Sequence, residues 1–440
     1  MLTLGLGLGL TMMSQPSGGP PPARTVFVSN RGRSPRTGAT AAAVTATVRR
    51  TARTRYYIGK GGAKSLRLLF AGYYTNTNVS ETNLPNAYAI RAHIEIPSAP
   101  GPALQVVTWG GATSGIVPSG ADEYACDDVP ANAFGYASAI PAGTLIWVVT
   151  EREVAIGEVH LAGMASASPA ISGEAAITGP TSGTTPATWI GESGALASGG
   201  GWTGATDRFG PLAIVGAQDT AAPAVLAVGD SIMASINDGE GDGVNNGVTA
   251  AGGFFIQGLA NAGGAGVPLA SCNIANRGET AALFLADSKR RAMFKYATHV
   301  VSNYGTNDLA TATTAASALV SIGQIFTYAK GQGVSHCVQA GIIPRTTGAW
   351  TLADGSDQVY FNTNGFDAKR VAFNADAAAQ TITDQDQYLD HFTGLITLGT
   401  DVKKWLADGV AQKYTADGTH PTPLGHRTMA PALAALAAAW

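Results

Sequence analysis

The sequence predicts two dissimilar halves: an all-β sandwich of jelly-roll type, then an α/β domain on a parallel sheet. Three observations carry this. At 440 residues the chain is too long for one ordinary domain. With 45% hydrophobic and 13% charged residues it can bury large sheets and is not a disordered chain. The apolar pattern also changes near Ala224, from short alternating runs to apolar runs separated by helix-period stretches.

The chain opens on a Leu-Gly alternation, Met1 to Leu10, followed by the proline-rich stretch from Gly18 to Pro22. Without a positive n-region, and with glycines that disfavour a helix, this reads as a tether or added strand rather than an export signal. These twenty or so residues resemble the beginnings of some phage and prophage tail-associated proteins. Eleven Lys or Arg fall between Arg24 and Arg67, and no acidic residue precedes Glu81. The remainder holds 16 basic against 30 acidic residues. Residues 1–55 therefore read as a flexible basic arm, either solvated, making an assembly or virion contact, or docking on an acidic surface. The net charge of −3 gives no reason to expect nucleic acid as a partner.

Residues 56–220 read as the sandwich. Ser65 to Phe70, Tyr88 to Ile96, Leu104 to Trp109 and Thr144 to Thr150 alternate apolar with polar residues between Gly, Pro, Asn and Ser clusters. Thr178 to Gly204 supplies surface loops, and Ala221 to Pro223 reads as a hinge.

Residues 221–440 alternate strand and helix signals. Val225 to Val228, Ala270 to Ala275, His299 to Asn303 and Cys337 to Ile343 are short apolar runs, while Thr280 to Ala297 and Thr314 to Lys330 carry helical spacing. Such βαβ units build a parallel sheet covered on both faces. Pro431 to Trp440 reads as a closing alanine-rich helix.

Four motifs stand at the ends of these strands or before the last helix: Gly229-Asp230-Ser231-Ile232, Asn276-Arg277-Gly278, Gly305-Thr306-Asn307-Asp308 and Asp417-Gly418-Thr419-His420. In type, order and approximate spacing they resemble the four blocks of the SGNH (GDSL-like) hydrolases, across roughly residues 224–440. The resemblance implies a flavodoxin-like three-layer α/β/α fold and ester hydrolysis. It makes Ser231 the nucleophile, His420 the base, Asp417 its orienter, and Gly278 and Asn307 oxyanion donors beside the Ser231 N–H. Ile232 departs from the leucine common in the family. Elementary chemistry agrees. A carboxylate three residues before a histidine can hold Nδ1–H and leave Nε2 free for the serine proton. Asp230 and Asp308 read as loop-holding residues through Asx-type bonds.

The long connection after Ile343 reads as a substrate wall, in which Arg345 can pair with an acidic sugar and Trp350 and Tyr360 can stack on a sugar ring, or all three can simply pack the loop. His426 reads as a helix-start or surface residue. Cys126, Cys272 and Cys337 are an odd count without metal-ligand spacing, so no disulfide framework, metal or cofactor is expected. No run of apolar residues is long enough to span a membrane. Together these readings point to a serine esterase acting on O-acyl, chiefly O-acetyl, groups of a polysaccharide or glycan, extracellular or particle-borne, with homo-oligomerisation open. A lipase, arylesterase or thioesterase of the same family, or a surface-binding virion module, is the alternative.

Overall fold

The computed structural model describes residues 24–37, 44–75, 81–158, 161–162, 173–205, 208–238, 252–311, 313–399 and 401–440. Among these, the apolar runs of the second half pair into a six-stranded sheet in the order Gly32–Arg33, Ala270–Asn273, Ala224–Val228, His299–Ser302, His336–Ala340, Gln387–Leu389. Every neighbouring pair is parallel. Both faces are covered, which is why these strands read as unbroken apolar runs. Val225 and Ala227 pack on one side against Phe254 and Phe255 of helix Gly253–Leu259 and Leu433 of helix Pro423–Ala437. Leu226 and Val228 pack on the other with Phe284, Ile322, Phe326 and Phe373, from helices Ala281–Asp287, Ala315–Gly331 and Phe366–Ala378.

This layering positions the chemistry. From strand Ala224–Val228 the chain moves to one side of the sheet, to Ala270–Asn273, and then returns to the other side, to His299–Ser302. Helices leaving in opposite directions open a crevice at the carboxyl end of the strand where the order reverses. Ser231 lies three residues beyond that end.

Besides a four-stranded sheet of Leu161–Ala162, Arg36–Thr37, Tyr73–Thr75 and Glu81–Asn83, the described residues of the first half form two antiparallel sheets. The smaller contains Thr25–Phe27, Ala213–Ala217, Ser65–Phe70, Tyr124–Ala125 and Val129–Pro130. The larger contains Gly115–Val117, Tyr88–Glu95, Leu145–Val154, Val48–Tyr57, Ala175–Pro180, Thr203–Ala205 and Leu104–Val106. Leu66, Leu68, Phe70 and Ile214 meet Tyr56, Ile90, Ile94 and Val148 in the core between them. Leu69, Ala213 and Val215 face the opposite way and join Cys272, Leu226 and Phe294 in the core of the α/β half. The small sheet is thus buried on both faces, and one apolar core runs from the first half into the second.

Four expectations are corrected here. Residues 24–37 and 44–55, read as part of a flexible arm, are built into sheets. Val48–Tyr57 lies between Leu145–Val154 and Ala175–Pro180, and Gly32–Arg33 is an edge strand of the parallel sheet. Part of the basic run is paired with acids far along the chain: Arg31–Glu174 and Arg53–Glu95 are buried pairs at 2.8 Å, and Arg67–Asp128 is an exposed pair at 2.6 Å. A buried cation is tolerable only when so paired. Residues 1–23 and 38–43 of the expected arm lie outside the described residues. The segment around Ala221–Pro223 is fixed rather than a hinge: the Thr220 N–H donates to Gly61 O, Ala222 N–H to Gln218 Oε1, and Ala224 N–H to Thr298 Oγ1. The helix expected over 280–297 is broken at Ser288 into Ala281–Asp287 and the 3₁₀ turn Lys289–Tyr296. The last helix begins at Pro423, where Thr422 caps the Gly425 N–H, with Pro431 inside it.

Candidate active site

Gly229 ends its strand at φ +151°, and a Cβ there would lie 1.7 Å from Asn303 Oδ1. Only glycine permits that approach. Asn303 Oδ1 accepts the Asp230 N–H at 3.1 Å, and Asn303 Nδ2 donates to Asp230 Oδ1 at 3.1 Å. The same Oδ1 accepts the Ile232 N–H at 2.9 Å, an Asx turn. Burial pushes the Asp230 carboxyl up to about 6, against the pull of these hydrogen bonds. Asp308 also holds structure: its Oδ1 accepts the Ala281 N–H at 3.0 Å. The turn after Ser231 does not continue as a helix, because Ser235 takes φ +63°. From below, Asn273 Nδ2 donates to Met233 O at 2.7 Å, and Arg33 and Arg36 both donate to Ala234 O.

On the facing loop, Gly418 takes φ +72°, and a Cβ there would lie 1.8 Å from Thr346 O. The turn is pinned on several sides. Gly418 O accepts from Thr346 N at 2.9 Å and from Trp405 Nε1 at 3.1 Å, and Thr415 Oγ1 donates to His420 O at 2.9 Å. Asp417 Oδ1 accepts the backbone N–H groups of Thr419 at 2.9 Å and His420 at 2.7 Å.

The two loops bring Ser231, Asp417 and His420 together. His420 Nε2 lies 2.8 Å from Ser231 Oγ, and His420 Nδ1 lies 2.7 Å from Asp417 Oδ2. Partial burial pushes the Asp417 carboxyl upward, but hydrogen bonds from His420 and Thr419 outweigh it and hold Asp417 well below the usual carboxylate range. An ionised Asp417 accepts Nδ1–H, so Nε2 is left as the acceptor for the serine hydroxyl. Asn237 Nδ2 adds a donor to Asp417 Oδ2 at 3.3 Å.

Three donors border the same space. The Ser231 and Gly278 backbone N–H groups find no acceptor among the described residues. Asn307 Nδ2 donates to Glu279 O at 3.2 Å, which fixes the amide and leaves its second hydrogen available. Ser231, Gly278, Asn307, Asp417 and His420 line one open cleft of about 370 Å³ with Ile236, Arg277, Arg345 and Thr419. Such a site can activate a hydroxyl and stabilise an oxyanion.

Sequence reasoning missed the residues behind this cleft. Glu279, adjacent to Gly278, accepts from Tyr304 Oη at 2.6 Å and from both terminal nitrogens of Arg290. Arg290 also donates to Glu81, which lies on the strand Glu81–Asn83 and accepts the Lys289 N–H at 2.6 Å. Sequence spacing carries no signal of this network. His426, expected at a helix start or on the surface, does stand in the first turn of helix Pro423–Ala437. It is fully buried, its Nδ1 accepting from Phe254 N at 3.3 Å and its Nε2 lying 3.2 Å from Ile236 O at the end of the nucleophile turn.

Of the three expected substrate contacts, Arg345 lines the cleft, with Nε donating to Thr419 Oγ1 at 3.3 Å. Trp350 does not offer a stacking face. It is 8% exposed, donates Nε1–H to Thr346 Oγ1 at 2.8 Å and packs beneath Gly418, where burying the indole supports the Asp417–His420 turn. Tyr360 is exposed on the strand Gln358–Tyr360 with the Lys403 ammonium 5.2 Å from its ring centre, and is not among the residues lining the cleft. Among the described residues no group of three or more His, Cys, Asp or Glu is placed to hold a metal, and all three cysteines are buried and free.

No protein-family model matches the chain, and no curated protein matches it. Among solved structures it is similar to a putative acylhydrolase from Bacteroides fragilis, at 18% identity over 49% of this chain and 86% of that one, TM-score 0.33. A GDSL-like lipase from Bacteroides thetaiotaomicron gives 16% identity, 49% and 87% coverage and TM-score 0.30. A mutant acetyl-xylooligosaccharide esterase from Geobacillus gives 15% identity, 48% and 91% coverage and TM-score 0.32. The chemistry assigned to the cleft rests on its own geometry.

Proposed function

We propose that the chain is a serine-dependent carboxylic ester hydrolase of the SGNH type that removes short acyl groups, O-acetyl first among them, from a polysaccharide or glycan. The observation that carries the reading is the hydrogen-bonded series Ser231 Oγ, His420 Nε2 and Nδ1, Asp417 Oδ2, with links of 2.8 and 2.7 Å. Ser231 Oγ attacks the ester carbonyl as its proton passes to His420 Nε2. The imidazolium so formed is stabilised by Asp417. The new negative oxygen is met by the N–H groups of Ser231 and Gly278 and by the Asn307 amide. On collapse the C–O bond to the alcohol breaks, and His420 returns the proton to the leaving oxygen. Water, deprotonated by the same Nε2, then attacks the acyl-serine carbonyl, releasing the carboxylic acid and restoring Ser231.

The short-acyl preference is supported by the lining of the cleft. Arg277, Asn307, Arg345 and Thr419 surround Ser231, and Ile236 is the aliphatic contributor. A polar cleft suits a hydroxylated alcohol and gives a long acyl chain little apolar surface. The test is acetate release from p-nitrophenyl acetate and from acetylated xylan, with an acetate, butyrate and octanoate ester series. Turnover falling along the series, and lost in Ser231→Ala, is expected. No release from any ester overturns the assignment, and a preference for octanoate overturns its short-acyl part.

A further inference from the structure

Four buried arginines of this protein carry carboxylate partners: Arg31 with Glu174, Arg53 with Glu95, Arg290 with Glu279, Arg370 with Asp367. The exposed Arg277 and the half-buried Arg345 have no carboxylate ion pair among the described residues, and both line the catalytic cleft. Among the described residues the Arg277 guanidinium has no hydrogen bond or ion pair to a protein group. Arg345 donates to Thr419 Oγ1, and its guanidinium lies 4.4 Å from the ring centre of Phe361 and 5.6 Å from that of Phe366. That stacking fixes the plane of the fork while leaving most of its donors unspent. Partial desolvation lowers the affinity of both groups for their proton, though Arg277 is exposed; for Arg345 the field of Asp230 and Asp417 opposes this. Arg36 adds a third cation, its own proton affinity lowered by burial and by Arg33, Arg277 and Arg290. Of the acidic groups on this side, Asp417 lines the cleft but is occupied by His420, and Asp230 is fully buried beneath the nucleophile turn.

We infer that the ester is carried on an anionic glycan, and that Arg277 and Arg345 bind its oxyanion group beside Ser231. This rests on the ester-hydrolase reading and names the substrate class for it. The planar forks suit a sugar carboxylate, and a sugar phosphate presents the same acceptor chemistry. Docking an oxyanion on these two forks supplies a counter-charge that neither draws from an ion pair among the described residues.

Two measurements test this. The first compares kcat/KM for acetylated methyl glucuronide, the equivalent glucoside phosphate and neutral acetylated methyl glucoside. An anionic substrate is expected to exceed the neutral one by roughly tenfold or more, since hydrogen bonds to charged groups are the stronger kind. The ratio is expected to shrink in Arg277→Gln and Arg345→Gln, to recover partly in Arg277→Lys, and to fall as salt rises. The larger of the carboxylate and phosphate ratios identifies the group. The second measurement uses Ser231→Ala protein and calorimetric binding of deacetylated methyl glucuronide against methyl glucoside. Tighter binding of the glucuronide, lost on adding Arg277→Gln, is expected. Equal binding overturns the inference whether or not esters are turned over, as does ester turnover with no anionic preference. Absence of all ester turnover with anion binding intact strikes the hydrolase reading instead.

Discussion

Asn307 and Asp230 both lie against the nucleophile, yet substitution should separate them. Asn307 offers a free amide hydrogen to the cleft, so Asn307→Ala should lower kcat about a hundredfold or more, with KM changed far less. A KM effect with kcat intact would move Asn307 from oxyanion donor to ground-state binding. Asp230 should show itself in stability. Its carboxyl holds a proton up to about 6 in the fold against an ordinary 3.8, so between those values the folded chain binds more protons than the unfolded one. Its contribution is therefore favourable at pH 4 and is lost as pH rises through about 6. Asp230→Asn keeps an oxygen for the Ile232 N–H but cannot ionise, so its urea midpoint should fall less than that of the parent between pH 4 and pH 7. Equal slopes would contradict the assigned burial cost. Ser231, Asp417 and His420 were legible because each sits in a short motif whose spacing carries its geometry. Trp350 was not, because a sequence does not say which way an aromatic in a loop is turned.

At the level of elements, legibility followed how local the determinants are. The strand Ser65–Phe70 coincides with its apolar alternation, and helix Ala315–Gly331 lies within a residue of its expected bounds, started by the Thr314 cap. The helix expected over 280–297 failed at Ser288, whose extended backbone places its hydroxyl and the Lys289 N–H on Glu81, over two hundred positions earlier. No local window contains that contact. The same contact joins the first half of the chain to the oxyanion loop through Arg290 and Glu279. Removing one member of a buried ion network costs about 3 kcal/mol or more. Glu279→Ala should accordingly destabilise the protein by about that amount in chemical denaturation, and should lower kcat more than it changes KM, because Glu279 fixes the loop that carries the Gly278 N–H. Glu279→Gln should restore part of kcat. Loss of stability with kcat untouched would confine the network to holding the fold.

The charge asymmetry of the whole chain is where the sequence misled. Eleven basic residues without an early acid look like a solvated arm, but Arg53, Arg31 and Arg67 among them meet Glu95, Glu174 and Asp128, brought back by long-range antiparallel pairing. The chain is consequently interlocked: Gly32–Arg33 pairs with Ala270–Asn273, and one core contains Val215 together with Leu226. A piece beginning at Tyr56 lacks most of the strand Val48–Tyr57 from within the larger sheet and an edge strand of the parallel sheet. It should not fold, as judged by near-ultraviolet circular dichroism and loss of turnover. A folded, active 56–440 piece would refute the interlocking. The alternating strand-and-helix half was readable because parallel sheets demand continuous apolar runs, whereas Val48–Tyr57, rich in Arg and Thr, hides its strand beneath its charges.

The account turns on Ser231 as the atom that takes the acyl group. Acid-quenched reaction of the full chain with p-nitrophenyl acetate, followed by peptide mass spectrometry, reads this directly. The account predicts an acetylated Ser231 peptide, and neither adduct nor turnover in Ser231→Ala. Acetyl transfer to another residue, or hydrolysis that survives Ser231→Ala, would contradict it.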